Sequence, residues 1–204
     1  MIKRIIFDID YTLLVPNYYR EKEFFSRILS SENAFFINNM YLILKKYEEQ
    51  YVSYDKEKFI KYLNNYTNEP LPSDFLEQWF EFNAELDEQD VSEIEDTLIY
   101  LSKYELVTLT NWFGEPQKKK LELLGLKKYF KEFHSGDEIL KPYKASFINA
   151  CGNNKPSECV MIGDILSSDI NPAKALGMKT IYISKDNENT ESTINDIRKL
   201  KDIL

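Results

Sequence analysis

Asp8 and Asp10 stand two residues apart behind the run Ile5-Ile6-Phe7, and Thr12 follows them. The apolar run is too short for a helix and rich in β-branched residues, which predicts a buried strand. Two carboxylates at the end of a buried strand oppose each other's ionisation unless a cation or a proton compensates. A divalent metal resolves the conflict, and hard oxygen ligands point to magnesium. A polar turn is the alternative reading, since Asp is common in turns.

Other segments repeat the arrangement. Glu105 to Thr110 (ELVTLT) predicts a strand that ends in Thr110-Asn111, a hydroxyl and an amide able to hydrogen-bond a phosphate oxygen. Glu158 to Ile162 (ECVMI) predicts another, ending in Gly163-Asp164 with Asp169 five residues further on. Gly163 permits close backbone approach at that point. Lys141 stands beside Pro142 at an expected helix start, where its charge opposes the helix dipole. A site that needs positive charge explains that lysine better than local stability does.

The elements that must position these residues fall into two kinds. From Val15 to about Asp90 four apolar stripes follow the i, i+3, i+4 spacing of amphipathic helices. They are Phe24/Phe25/Ile28/Leu29, Ile37/Met40/Tyr41/Leu44, Phe59/Tyr62/Leu63/Tyr66 and Phe75/Leu76/Trp79/Phe80/Leu86. Asn64-Asn65, Pro70 and Pro72 separate the last two, so residues 15–90 read as an inserted helical bundle. From Val91 onward strands and helices alternate. Short strands are expected at Phe130–His134 and Lys179–Ile183, and helices after Pro116, after Pro142, over Ser167–Leu176 and over about Ser192–Ile203. Such alternation predicts right-handed βαβ units in an α/β parallel sheet, whose ligands bind beyond the carboxyl ends of the strands. Residues 1–14 and 91–204 then form the core domain.

The 204 residues carry a formal charge of −8. That field repels polyanions and argues against nucleic acid or an anionic membrane as partner. No segment approaches the ~18 apolar residues of a membrane span. Two cysteines, Cys151 and Cys159, read as small buried fillers in a reducing, cytoplasmic compartment. His134 is the single histidine, which excludes a two-histidine metal site, and it reads as a surface or loop residue. Lys118 to Lys120 reads as a solvated helix face.

Asp8-Ile9-Asp10-Tyr11-Thr12, Thr110-Asn111, Lys141-Pro142 and Gly163-Asp164 through Asp169 resemble the four ordered motifs of the haloacid dehalogenase superfamily of hydrolases. The helical insertion resembles its helical-cap subclass. The resemblance implies a Rossmann-like three-layer core with an inserted α-helical cap. It also implies a magnesium-dependent phosphatase acting on a small phosphorylated metabolite through an aspartyl-phosphate. Asp8 would be the nucleophile and Asp10 the general acid and base. Lys141 and Thr110 would hold the phosphate oxygens, with Asn111 as helper and Thr12 bracing the loop. Magnesium would be held by Asp8, the carbonyl of Asp10, Asp164 and Asp169. A monomer or homodimer fits equally.

Tyr11 replaces a frequent glycine, Ile165 a small polar residue, and Ser168 a frequent asparagine. Tyr143 and Lys144 replace an acidic residue and a proline, which makes Lys144 a competitor for the role of Lys141. A phosphomutase would keep the same residues, and a 2-haloacid dehalogenase would need no metal. A non-catalytic binding module would be expected to lose the nucleophile or a metal ligand. The insertion is expected to act as a lid. Its aromatics, Tyr18, Tyr19, Phe24, Tyr41, Trp79 and Phe80, read mainly as core.

Overall fold

The structure, a computed structural model, describes residues 1–184 and 193–204. Six strands form one parallel sheet: β1 (Arg4–Phe7), β2 (Glu105–Leu109), β3 (Glu132–His134), β4 (Cys159–Gly163), β5 (Lys179–Ile183) and β6 (Thr193–Ile194). Their spatial order is β3-β2-β1-β4-β5-β6, and every neighbouring pair is parallel. The order reverses between β1 and β4, and that switch point opens a crevice at the carboxyl ends.

Side chains of a strand alternate between the two faces of the sheet. Ile5, Phe7, Leu106, Val160 and Ile162 meet Leu98 and Leu101 of α5 (Ser92–Leu101) and Leu121 of α6 (Gly114–Leu123). Ile6, Val107, Leu109 and Met161 meet Phe147 and Ala150 of α7 (Lys144–Cys151) and Ala173 of α8 (Asn171–Ala175) on the opposite face. Three layers result, with β1 fully buried at the centre. Cys151 and Cys159 are both buried free thiols in the second layer.

Between β1 and β2 the chain forms α1 (Glu21–Ile28), α2 (Ala34–Gln50), α3 (Lys56–Leu63) and α4 (Phe75–Ala84). Phe25, Phe36, Phe59, Phe75 and Trp79 are fully buried at their centre. The cluster also takes in Trp112 and Phe113, directly after Thr110-Asn111, and Leu140. Two stripe assignments are corrected. Tyr41 is 77% exposed, because the buried face of α2 runs Phe36, Ile37, Met40, Ile43, Tyr47. Leu86 lies beyond α4 and packs on the sheet cluster instead.

Three boundaries differ from expectation. Lys141 lies in a loop, not at a helix start. A cis peptide joins it to Pro142, and α7 begins at Lys144 after the extended Tyr143. The helix expected over Ser167–Leu176 is a five-residue π turn, Leu166–Ile170, leading into α8. The last expected helix has a strand in its place at Thr193–Ile194, and only Leu200–Ile203 (α9) is α-helical among the described residues. Thr193 and Ile194 complete the sheet beside β5, and this pairing outweighs helical propensity. The expected start at Ser192 lies outside the described residues. His134 ends the edge strand β3, half-buried between Glu132 and Glu138. No helix among the described residues is long and apolar enough to cross a membrane.

Candidate functional site

Asp8 follows β1 immediately, and its N–H donates to the Ile162 carbonyl at 2.9 Å, so the backbone is still pinned to β4 where the side chain projects. The carboxylate is buried. Its Oδ1 accepts from Lys141 Nζ at 2.7 Å and its Oδ2 from Thr12 Oγ1 at 3.2 Å. Lys141 makes a second ion pair with Asp169 Oδ1 at 2.7 Å. Asp169 is fully buried and accepts the Ile165 N–H on Oδ2 at 2.9 Å. Lys144, by contrast, is exposed.

Asn111 reads both sides of the Lys141 backbone. Its Nδ2 donates to the Lys141 carbonyl at 2.9 Å, and its Oδ1 accepts the Lys141 N–H at 2.6 Å. Its amide is thereby spent on placing the lysine. Thr110 is buried beside it, its Oγ1 accepting from Gln117 Nε2 at 3.1 Å.

Carboxylate oxygens of Asp8, Asp164 and Asp169 all lie within 4.8 Å of one another. Burial pushes the Asp8 carboxyl up from its ordinary range, Lys141 pulls it back, and the Asp169 and Asp164 charges push it up again. Burial works against the Lys141 charge too, but Asp169 and Asp8 outweigh it and hold the ammonium well above the usual lysine range. Among the described residues Lys141 is ion-paired with two of these carboxylates, Asp8 and Asp169. An all-oxygen donor set of this kind fits a hard dication. Gly163 is required by this packing: a Cβ there would lie 2.6 Å from the Asp169 carboxyl. Tyr11 has φ 59°, the left-handed region that favours glycine.

Asp10 is held on both oxygens. Lys120 Nζ donates to Oδ1 at 2.8 Å, Gln117 Nε2 donates to Oδ2 at 2.6 Å, and the Tyr18 hydroxyl donates to the same Oδ2. The reading of Lys118 to Lys120 as a solvated face therefore fails at Lys120, which is completely buried. Successive residues of a helix turn by about 100°, so Lys119 faces water while Lys120 shares the inner face of α6 with Gln117 and Leu121. A lysine three residues after a glutamine on an apolar stripe was the available signal.

The insertion adds carboxylates to this end of the sheet. Glu21, in the first turn of α1, accepts the Trp79 indole N–H on Oε1 at 2.9 Å. Burial pushes Glu21 up to about 7, the Trp79, Lys120 and Asn83 groups pull it down, and the Asp10 charge adds to the rise. Glu48 of α2 accepts the Tyr54 hydroxyl at 2.8 Å. Burial raises its carboxyl, while Tyr54 and Lys141 pull the other way. Neither glutamate nor Gln117 stood out in the sequence as a site residue, and Tyr18 stood out only among the aromatics of the insertion, not as a partner of Asp10. Of the aromatics named there, Phe24, Trp79 and Phe80 are buried in the cluster, and Tyr19 and Tyr41 are exposed.

A family model described as haloacid dehalogenase-like hydrolase matches residues 2–177. Glyceraldehyde 3-phosphate phosphatase of Methanocaldococcus jannaschii is 33% identical over 111 residues, 48% of this chain and 48% of that protein. N-acylneuraminate-9-phosphatase of Rattus norvegicus is 34% identical over 85 residues, 39% of this chain and 34% of that protein. These matches thus span about half or less of each relative's length. Among solved structures, 2-haloacid dehalogenase from Pseudomonas syringae pv. Tomato DC3000 superposes with a TM-score of 0.68 at 19% identity, covering 100% of this chain and 98% of that one. That likeness carries the fold alone.

Proposed function

The chain belongs to the haloacid dehalogenase-like hydrolases, and from that premise we propose that it hydrolyses small phosphomonoesters through an aspartyl-phosphate on Asp8, with residues 15–90 as its cap. The observation that carries this reading is the corner formed by Asp8, Lys141, Asp169 and Asp164 at the switch point of the sheet. In the first half-reaction an Asp8 oxygen bonds to phosphorus while the ester oxygen leaves, taking its proton from Asp10. In the second, Asp10 takes a proton from the water that attacks the acyl-phosphate, and phosphate and the Asp8 carboxylate are regenerated. Lys141 and Thr110 hold phosphoryl oxygens against the charge that builds up. Asn111 acts through Lys141 as its positioning residue.

Asp10 must free one oxygen for this work. Lys120 and Gln117 come from the core helix α6, so Tyr18, which comes from the insertion, is the contact that a moving lid would release, leaving Oδ2 with Gln117 alone and a lone pair open to the proton. Magnesium suits the site best: Asp8, Asp164 and the carbonyl of Asp10 would hold it, with Asp169 behind them. When bound it would supply the positive charge that keeps Asp8 ionised near an anionic ester.

A dehalogenase would attack uncharged carbon and needs no dication, so the three-carboxylate corner speaks against it. A phosphomutase would retain the phosphate by excluding water, and no residue described above favours that outcome over hydrolysis. The test is turnover of p-nitrophenyl phosphate with and without magnesium. Activity should require magnesium and vanish in Asp8→Asn, while the variant keeps the wild-type far-ultraviolet circular dichroism. Turnover by a folded Asp8→Asn would sink the assignment of the nucleophile.

A further inference from the structure

Glu21 has no duty that a neutral side chain could not perform. Among the described residues the Trp79 indole and the Asn83 side chain hydrogen-bond it, and a glutamine carbonyl would accept from either. A carboxylate in a first helical turn is usually a solvated partner of the helix dipole. Glu21 is instead half-buried and held up to about 7 chiefly by burial, which means its charge costs the fold free energy. Residues kept at such a cost concentrate where ligands bind.

Its surroundings indicate what it receives. Lys120 and Asp10 act on it electrostatically, which places it on the leaving-group side of the proposed reaction. Asn83 is completely buried beside it. The Asn83 Nδ2 donates to the Trp79 carbonyl at 3.0 Å, and its Oδ1 has no partner. Gln117 repeats the pattern: Nε2 serves Asp10 and Thr110, while the buried Oε1 has no partner. A buried acceptor without a donor is costly and calls for one. Glu48, near Lys141, adds a second acidic side chain from the insertion.

We propose that Glu21, backed by Asn83, selects the leaving group, so that the site takes phosphomonoesters whose alcohol portion carries hydrogen-bond donors, hydroxyl or ammonium, and rejects those carrying a second anion. This rests on the phosphatase reading and narrows it. Sugar and amino-alcohol phosphates fall inside the class, and phosphoglycolate falls outside it.

The experiment compares kcat/KM, with magnesium, for glucose 6-phosphate, phosphoethanolamine, phosphoglycolate and p-nitrophenyl phosphate. In the wild type the better of the two donor-bearing esters should exceed phosphoglycolate by at least about tenfold. Which of the two leads separates hydroxyl from ammonium recognition. Glu21→Gln should lower the ratio of the preferred ester to p-nitrophenyl phosphate by about tenfold for a hydroxyl and more for an ammonium. Glu21→Lys should raise phosphoglycolate relative to both. A wild type that treats all the esters alike, or prefers phosphoglycolate, overturns the proposal without any variant having to fold. So does a folded Glu21→Gln that loses all activities in equal proportion. Absence of p-nitrophenyl phosphate turnover in the wild type removes the phosphatase reading itself, and this inference with it.

Discussion

Two buried cations sit at opposite ends of the same sheet, each between two carboxylates. At the amino end Arg4, 3% exposed, pairs with Glu105 and Glu132 and donates to the Ala150 carbonyl. Both glutamates remain more than one-third exposed. Glu105 is held down to about 2, by Lys131 first and Arg4 second. At the carboxyl end Lys141 pairs with Asp8 and Asp169, which are almost wholly buried. There Asp8 is pushed up, by burial first. The planar guanidinium forks onto both oxygens of Glu132, whereas Lys141 takes one oxygen from each aspartate, and Thr12 Oγ1 and the Ile165 N–H take the other two. Solvent access thus separates an ion pair whose carboxylates water can stabilise from one whose carboxylates depend on the protein.

Substitutions can break this contrast. Lys141→Met should cost about a thousandfold in kcat/KM for p-nitrophenyl phosphate, whereas Arg4→Met should leave the activity per folded molecule within about threefold, since it lies a strand's length away. Lys120→Met should cost between about tenfold and a hundredfold, with partial rescue in Lys120→Arg, because Asp10 loses its anchor but not its chemistry. In urea unfolding Arg4→Met should lose about 1 kcal/mol, chiefly because the Ala150 carbonyl loses its donor while the exposed Glu105 and Glu132 turn to water. Equal losses of activity in the two variants would erase the distinction between the ends.

The acid side chains sharpen the contrast through pH. Glu21 has a folded pKa above its unfolded value of about 4.5. The unfolded state therefore deprotonates first, and stability falls as pH rises from about 4.5 through 7. Glu21→Gln removes that cost. Its unfolding free energy should exceed the wild type's at pH 8 by as much as about 3 kcal/mol, and match it at pH 4, as read by urea unfolding. Glu105 has the opposite sign: its folded pKa lies below the unfolded one, so its contribution is complete above about 4.5 and lost as pH falls toward 2. Glu105→Gln should destabilise at pH 7, by less than about 1 kcal/mol given its exposure, with the difference closing on acidification. The same sign for both variants would mean that burial does not govern Glu21.

Much of this frame was legible in the chain. Ile5-Ile6-Phe7 and Glu158–Ile162 are apolar enough to be read as central strands, and Asp8 and Asp164 follow them wherever the strand ends by a residue. Thr193–Ile194 was not legible, because a two-residue strand has no period and exists only through its pairing with β5. Lys120 and Gln117 were hidden for a different reason. A triple-lysine run has the composition of a surface, and only the rotational phase of α6 turns one of the three inward. Glu21 carries every mark of an ordinary helix start, and its burial depends on Trp79, 58 residues away.

The aromatic pair that follows Thr110-Asn111 has a consequence for recombination. Trp112 packs at 4.8 Å from the Trp79 ring, and Phe113 at 4.8 Å from Phe80. Residues 15–90 are thus not an interchangeable cassette, although they form one unbroken block of sequence. A homologous segment spliced in from another enzyme would have to supply a socket for both rings, or the turn that presents Thr110 would lose its footing. Chimeras that transplant residues 15–90 together with a matched Trp112-Phe113 should therefore survive where the bare exchange does not.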